Sequence, residues 1–398
     1  MVHVKPFAVE QWMDIYQPKA KYDLAETCVS SISLDGLMQL STAARPPGTF
    51  PLVGSRKLGY GAIRGSNELR SYLSKAYHEQ DSSSTVVADQ ILITPGAIQA
   101  NFLVLYSLVG HGDHVICVYP TYQQLYSVPE SVGAEVSLWR LRADHDFSLD
   151  LDELASLIRP NTKMIILNNP NNPTGAILAR SVQQRVVDVA AAHDLIILSD
   201  EVYRPLFHSI AATDPEYPPS ILSLGYARTI ATGSMSKVHA LAGIRVGWIA
   251  SQDPALLEGL QQARDYSTIS VSQLDDQIAA FALSPEVQPR LHERNTTLAR
   301  QNLDILARFV AECEACSWVK PVAGTTAFVQ FATEGQPVDD EKFCKALYHA
   351  TGVMFCPGKR CFGNDVDFRG YVRIGYACET ETLRQGLDQV KEFLRTSL

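Results

Sequence analysis

Side chains that can do chemistry follow five short apolar runs in the middle of this sequence. The runs span residues 90–93, 115–118, 164–167, 195–198 and 229–231. They are apolar on both faces, as is typical of strands in a parallel sheet covered by helices. The residues that follow them carry small, hydroxyl, amide, acidic, phenolic or amino groups: Gly96, Ala97, Tyr122, Asn172, Asp200, Tyr203, Ser234, Ser236 and Lys237. Because ligands bind beyond the carboxyl ends of the strands in open α/β sheets, we expect these residues to meet at one edge.

One part of this set suits a phosphate and a flat ring. Gly96 and Ala97 open a predicted helix, and the start of a helix offers backbone N–H groups to an anion. The hydroxyl groups of Ser234 and Ser236 add hydrogen-bond partners for the same phosphate. Tyr122 provides an aromatic face for stacking, although packing in a core is the alternative for such a residue. These residues favour a phosphorylated aromatic ligand.

The other groups suit a ring with a cationic nitrogen and an oxygen substituent. Asp200 can pair with the nitrogen, and Asn172 and Tyr203 can bond the oxygen. Lys237 can form a Schiff base with an aldehyde. Together they indicate pyridoxal 5′-phosphate (PLP), which acts as an electron sink. The simpler alternatives are a turn residue for Asn172, an N-cap for Asp200 and a surface lysine for Lys237.

The chain resembles the class I and II aminotransferases of PLP fold type I. The resemblance covers residues from about 55 to the C-terminus, and the first fifty residues match poorly. It is carried by five motifs: Asn169–Gly175 (NPxNPTG), Asp200–Tyr203 (DExY), Ser234–Lys237 followed by Gly243–Trp248 (SxSK…GxRxGW), Tyr60 with Gly65 and Glu68–Arg70, and the late Arg373–Gly375. In combination these motifs are specific.

The resemblance also implies roles for individual residues. Lys237 would bind the cofactor covalently and then move the proton at the substrate α-carbon. Arg245 would join the phosphate site, and Arg373 would hold the substrate α-carboxylate in a bidentate fork. Tyr60 would reach the phosphate from the partner subunit of a homodimer. Asp200, Asn172, Tyr203 and Tyr122 would contact the ring. The phosphate would be held by Gly96, Ala97, Ser234 and Ser236.

The elements that must position these residues alternate between strand and helix. A sixth apolar run at 246–249 and helical spacing at 180–193 extend the pattern, which predicts an α/β fold. We expect PLP fold type I, with a large domain over residues 50–285 built on a mostly parallel central sheet flanked by helices. A small α+β domain would combine residues 1–49 and 286–398, with the crossover at Arg45–Gly48.

The sequence indicates the cofactor better than the reaction. The loop Leu24–Ser33 departs from the usual aminotransferase pattern, and two segments, 264–270 and 352–363, resemble capreomycidine synthase, a cyclase of this group. Glu26 in that loop can meet a cationic substrate side chain or be a solvated surface carboxylate. His239 replaces the family's usual aromatic residue, and its role stays unassigned.

Three functions are therefore considered. Transfer of the amino group from an L-α-amino acid to a 2-oxo acid comes first. An eliminating lyase or cyclase acting on a modified, arginine-like amino acid is a close second. A catalytically idle PLP-fold binding protein is the third.

Composition narrows the possible partners and location. The 398 residues include 43 acidic and 34 basic side chains, a net charge of −9, without a basic block. We therefore expect no nucleic-acid or membrane partner and a cytoplasmic location. The eight cysteines are too sparse for a disulfide framework. The one close pair, Cys313 and Cys316, lacks further ligands, so we predict ordinary thiols rather than a zinc or redox site.

Overall fold

The N-terminal segment packs against the C-terminal part of the chain. The computed structural model describes residues 3–43, 57–80 and 83–397. The predicted crossover at Arg45–Gly48 and the predicted boundary at residue 50 lie outside these residues. The segment forms α1 (Ala8–Tyr16), β1 (Tyr22–Asp23) and α2 (Leu34–Gln39). The indole of Trp12, which is buried on α1, donates a hydrogen bond to the carbonyl of Phe355 at 2.8 Å.

Eight strands form one large sheet in the part of the chain that is described. They are β2 (Ile91–Thr94), β3 (His114–Tyr119), β4 (Glu135–Arg142), β5 (Ser148–Leu149), β6 (Thr162–Asn168), β7 (Ile196–Asp200), β8 (Thr229–Ser234) and β9 (Gly247–Ser251). Their spatial order is β2-β9-β8-β7-β6-β3-β4-β5. The strands from β8 to β4 in this order are parallel, whereas β9 is antiparallel to both neighbours and β5 to β4. All six apolar runs are strands, which confirms the mostly parallel sheet.

Helices cover both faces of this sheet. They are α3 (Asn67–Gln80), α4 (Gly96–Leu108), α5 (Gln124–Ser131), α6 (Leu151–Leu157), α7 (Arg180–Ala192), α8 (Pro254–Asp265) and α9 (Gln273–Ala282). Successive residues of a strand point to opposite faces. On β3, Ile116 and Val118 accordingly pack in one core, and Val115 and Cys117 in the other. Because the parallel strands end at the same edge, the residues after them are brought together.

The C-terminal part builds a smaller sheet. Its elements are α10 (Gln288–Glu312), β10 (Cys316–Trp318), β11 (Thr326–Thr333), β12 (Gln336–Pro337), α11 (Asp340–Thr351), β13 (Val353–Met354), β14 (Cys356–Pro357), α12 (Gly358–Phe362), β15 (Tyr371–Gly375) and α13 (Thr380–Ser397). β13 pairs in parallel with β1, and Trp12 and Leu24 share a core with Phe328 and Phe331. This shared core supports a domain made from both ends of the chain, a division that we keep as a proposal. None of the described helices is long and apolar enough to span a bilayer.

Candidate active site

The carboxyl edge of the large sheet opens into a cavity of about 500 Å³. Its walls come from the N-terminal segment, the large sheet and the small sheet. Eleven predicted site residues line it: Glu26, Ala97, Tyr122, Asn172, Asp200, Tyr203, Ser234, Ser236, Lys237, Arg245 and Arg373. Within the described ranges, no group of three or more His, Cys, Asp or Glu side chains can hold a metal ion.

Lys237 projects into this cavity from the loop after β8. Its Nζ lies 2.6 Å from Thr27 Oγ1, 3.6 Å from Cys28 Sγ and 3.9 Å from Glu26 Oε1. Burial lowers the pKa of this amine, but Cys28, Tyr203 and Glu26 outweigh burial and hold the pKa above its usual value. The amine is therefore protonated in the cofactor-free chain.

Asp200 is buried at the end of β7. Its Oδ2 accepts a hydrogen bond from Asn101 Nδ2 at 2.8 Å, and Oδ1 accepts one from the backbone N–H of Val202 at 3.2 Å. Burial raises the pKa of Asp200 to about 6, against the opposing effect of these donors. Thr232 in turn donates to Asn101 Oδ1 at 2.7 Å and fixes the orientation of its amide. A cation that reaches Asp200 meets a carboxylate held in one orientation.

Arg373 enters the cavity from β15, in the small sheet. Its Nη1 donates to Asn172 Oδ1 at 3.3 Å and its Nη2 to the carbonyl of Ala25 at 2.8 Å, while Nε has no partner. The residue is 2% exposed, and its guanidinium lies 5.2 Å from the centre of the Phe362 ring. No carboxylate among the described residues forms an ion pair with it. A buried guanidinium in this position is suited to a ligand carboxylate.

Two hydroxyls and a guanidinium meet at the start of α4. Ser234 and Ser236 lie 2.9 Å apart through their Oγ atoms, and Arg245 Nη1 donates to Ser236 Oγ at 3.3 Å. Gly96 does not line the cavity, but it begins α4 with φ +78°, and a Cβ there would lie 2.7 Å from Arg245 Nη2. Ala97 lies beside it in the wall. This cradle has the donors that bind a phosphate.

Tyr122 and Tyr203 supply the phenol groups of the cavity. The Tyr122 hydroxyl donates to Glu10 Oε1 at 2.6 Å, and its ring centre lies 4.9 Å from that of Phe7. Tyr203 is buried, and its hydroxyl interacts with the side chain of Thr27. The N-terminal segment therefore touches both predicted ring-binding tyrosines.

Glu26 is ionised and tied to its own loop. Its Oε1 accepts hydrogen bonds from the backbone N–H groups of Thr27 at 2.6 Å and Cys28 at 2.9 Å, and its Oε2 accepts one from Gln17 at 3.2 Å. Burial raises the pKa of Glu26, but Lys237 and the hydrogen bonds from Cys28 and Thr27 lower it to about 2. The carboxylate therefore orders the loop, and its predicted contact with a substrate cation stays a prediction.

Tyr60 and His239 lie outside the cavity. Tyr60 is 84% exposed, beside a separate surface pocket with Gly61 and Gln273. The ring of His239 lies 6.4 Å from that of Trp248, and burial lowers its pKa to about 4. The imidazole is therefore neutral at pH 7, and it lines a separate small pocket with Trp248.

Residues 52–390 match the family described as aminotransferase class I and II. The chain belongs to this family. It is 30% identical to capreomycidine synthase of Streptomyces vinaceus, over 98% of this chain and 93% of that protein. It is 29% identical to arginine–pyruvate transaminase AruH of Pseudomonas aeruginosa, over 83% and 81% of the two chains. A PLP-dependent aminotransferase from Streptococcus suis superposes with a TM-score of 0.89 at 40% identity, over 99% and 98% of the chains.

The residues present fit the cofactor of this family, PLP. A Cβ at Gly96 would lie 2.7 Å from Arg245 Nη2, so the glycine leaves this guanidinium room beside the start of α4. A cavity of about 500 Å³ is in the range of small-molecule sites, about 300–1,000 Å³. Lys237 supplies the amine, and the buried Asp200 supplies a carboxylate for a cationic ring nitrogen. The enzyme class and the PLP fold type I predicted from the sequence are confirmed by the family and its solved structures.

Proposed function

We propose that this PLP-dependent enzyme transfers the amino group of an L-α-amino acid to a 2-oxo acid. The observation that supports this best is Arg373, a buried guanidinium without an acidic partner in the described structure and with a free Nε. Both substrates of such a transfer carry a carboxylate next to the reacting carbon. One arginine in a fixed position serves both halves of the reaction.

Most of the predicted site residues then have a defined task. Bound PLP supplies an electron sink for the bond that breaks at the α-carbon. Lys237 removes and returns the α-proton, and Asp200 keeps a proton on the ring nitrogen. Arg373 and Asn172 orient the α-carboxylate. The phosphate and ring are held by the remaining predicted residues: Gly96, Ala97, Tyr122, Asn172, Tyr203, Ser234, Ser236 and Arg245.

A second candidate is an eliminating lyase or cyclase acting on an arginine-like amino acid. It is favoured by the ionised Glu26 in the cavity wall, an anion that a cationic side chain can approach. The similarity to capreomycidine synthase over nearly the whole chain adds support. In this reaction the electrons collected from the α-carbon would expel a substituent of the substrate rather than pass to an oxo acid.

A panel of amino acids with and without 2-oxoglutarate separates the candidates. Appearance of the amino group on the added oxo acid supports transfer. Loss of water or ammonia without an oxo acid supports elimination or cyclisation. The purified protein should be yellow, and Lys237→Ala should lose the visible absorption of lysine-bound cofactor. A colourless wild type that takes up no PLP would contradict both.

The enzyme is further proposed to be a homodimer in which Tyr60 reaches the partner's phosphate site. Support comes from apolar side chains left exposed on one face of α4, namely Ile98, Phe102 and Tyr106. The test mixes inactive Lys237→Ala and Tyr60→Ala chains, because a hybrid dimer would contain one intact site. Activity that stays absent after subunit exchange would contradict the shared site. The cytoplasmic location stays a prediction from the sequence.

A further inference from the structure

Two cysteines at the end of α10 form a thiol pair away from the active site. Cys313 follows the last residue of the helix, and Cys316 begins β10, at the edge of the small sheet. Their Sγ atoms lie 3.2 Å apart. The turn between them is closed by a hydrogen bond from the N–H of Cys316 to the carbonyl of Cys313 at 3.0 Å. Neither residue lines the cavity described above.

The turn geometry permits a bond between the two sulfurs. A turn of this kind brings the first and fourth Cα atoms within about 7 Å. A disulfide needs a Cα separation of about 4.4–6.8 Å. Both side chains are half-buried, so a small reagent can reach them. Closing the bond would therefore need little movement of the backbone.

Cys313 combines partial exposure with a lowered pKa. The Cys316 thiol donates to Cys313 and lowers the pKa of Cys313 to about 6, although burial opposes this. Four cysteines are buried: Cys117, Cys344, Cys356 and Cys361. Cys28 and Cys378 are half-buried like the pair, but burial raises their pKa values to about 11 and about 12. The lowered pKa increases the thiolate fraction of Cys313 at neutral pH, and the thiolate is the form that attacks disulfides.

We propose that Cys313 and Cys316 form a reversible dithiol–disulfide site that reacts with low-molecular-weight disulfides. The Cys313 thiolate attacks one sulfur of the reagent RSSR, forms a mixed disulfide and releases RS⁻. The released RS⁻ takes the proton of the Cys316 thiol. Cys316 then attacks the Cys313 sulfur and expels the second RS⁻, which is protonated by water. In sum, the two cysteines lose two electrons and RSSR becomes two RSH.

The test treats the cofactor-loaded enzyme with bis(2-hydroxyethyl) disulfide, which has no amino group to react with PLP. Mass spectrometry of the wild type should show an intramolecular Cys313–Cys316 bond that a dithiol reductant reverses. In Cys316→Ser the resolving thiol is missing, so Cys313 should keep the reagent as a mixed disulfide. Alkylation of wild-type Cys313 at pH 7 should be at least about tenfold faster than that of Cys378, because of its larger thiolate fraction.

Either of two results would overturn the proposal. One is a wild type that stops at the mixed disulfide as Cys316→Ser does, and the other is a Cys313 that reacts no faster than Cys378. Cys378→Ser serves as the matched control and should leave the product of the wild type unchanged. The readout is the chemical state of the thiols, so it does not depend on the reaction assigned to the active site.

Discussion

Thr27 Oγ1 lies 2.6 Å from Lys237 Nζ, although 210 residues separate them in the chain. The contact brings the N-terminal segment to the amine that is expected to carry the chemistry. The carbonyl of Thr27 is fixed by the Thr325 hydroxyl at 2.6 Å, so the loop cannot turn freely. The N-terminal segment and Thr325 therefore help to hold the amine on the loop after β8.

We expect Thr27→Val to reduce kcat/KM about tenfold or more, because a hydrogen bond to a charged group contributes about 1.5–3 kcal/mol. Thr27→Ser keeps the hydroxyl and should stay within about twofold of the wild type by the same reasoning. Steady-state kinetics of both variants provides the measurement. An equal loss in the serine variant would show that packing of the methyl group, rather than the hydroxyl, matters.

Arg373→Gln is expected to lower kcat/KM about a hundredfold, since truncating one partner of a buried charge pair costs about 2–5 kcal/mol. Arg373→Lys should be impaired as well, because an ammonium does not offer the guanidinium fork. The exposed Arg369 lies in the same part of the chain, and Arg369→Gln is the matched control. If the two glutamine variants behave alike, Arg373 does not hold the substrate carboxylate.

Asp200 should make the cofactor-free protein less stable as the pH rises. Its pKa is raised from 3.8 to about 6 by burial, so the folded chain binds this proton more tightly than the unfolded chain. The resulting stabilisation is complete below about pH 4 and is lost as the pH passes 6. Urea unfolding at pH 4 and pH 7 should show this change, on the order of 3 kcal/mol, in the wild type relative to Asp200→Asn. A constant difference between the two proteins would contradict the raised pKa.

Gly96→Ala is expected to weaken PLP binding at least about tenfold, because the left-handed backbone strains alanine and the cradle is filled. The new Cβ would lie 2.7 Å from Arg245 Nη2, whereas a Cβ on Gly243 would meet nothing within 4 Å. Gly243→Ala is therefore the control, and titration of the cofactor-free chain with PLP is the measurement. Unchanged affinity in Gly96→Ala would place the phosphate elsewhere.

Glu26→Gln distinguishes the second candidate function. The variant should lower the ratio of kcat/KM for arginine to kcat/KM for citrulline about tenfold, because only arginine loses a charged contact. Citrulline is a neutral analogue of similar length. The ratio between the two substrates cancels the general effect of altering the environment of Lys237. A ratio that does not change would refute a contact with the substrate cation.

The sequence was informative where candidate residues lie at or just after the end of a buried strand. Asn172, Asp200 and Lys237 follow buried strands, and the parallel sheet carries them to the same edge. β4 was missed because only Trp139 and Leu141 are buried along its eight residues. Such a strand lacks the continuous apolar run by which the others were recognised.

Contacts between residues that are far apart in the sequence could not be predicted from motifs. Asn101 reaches Asp200 from the second turn of α4, and no motif in the surrounding sequence marks it. Thr27 and Glu10 lie in the region that matches the family poorly, yet they contact Lys237 and Tyr122. The helical position of Asn101 after Gly96 was the one available signal.

The walls of the cavity come from segments that lie far apart in the sequence: the N-terminal segment, the large sheet and the small sheet. A substrate that touches Arg373 on the small sheet and the amine-bearing loop of the large sheet acts as a non-covalent cross-link. Mass action then raises the melting temperature with ligand concentration, by an amount set by the dissociation constant. Thermal shift can therefore rank unknown substrates before any product has been identified.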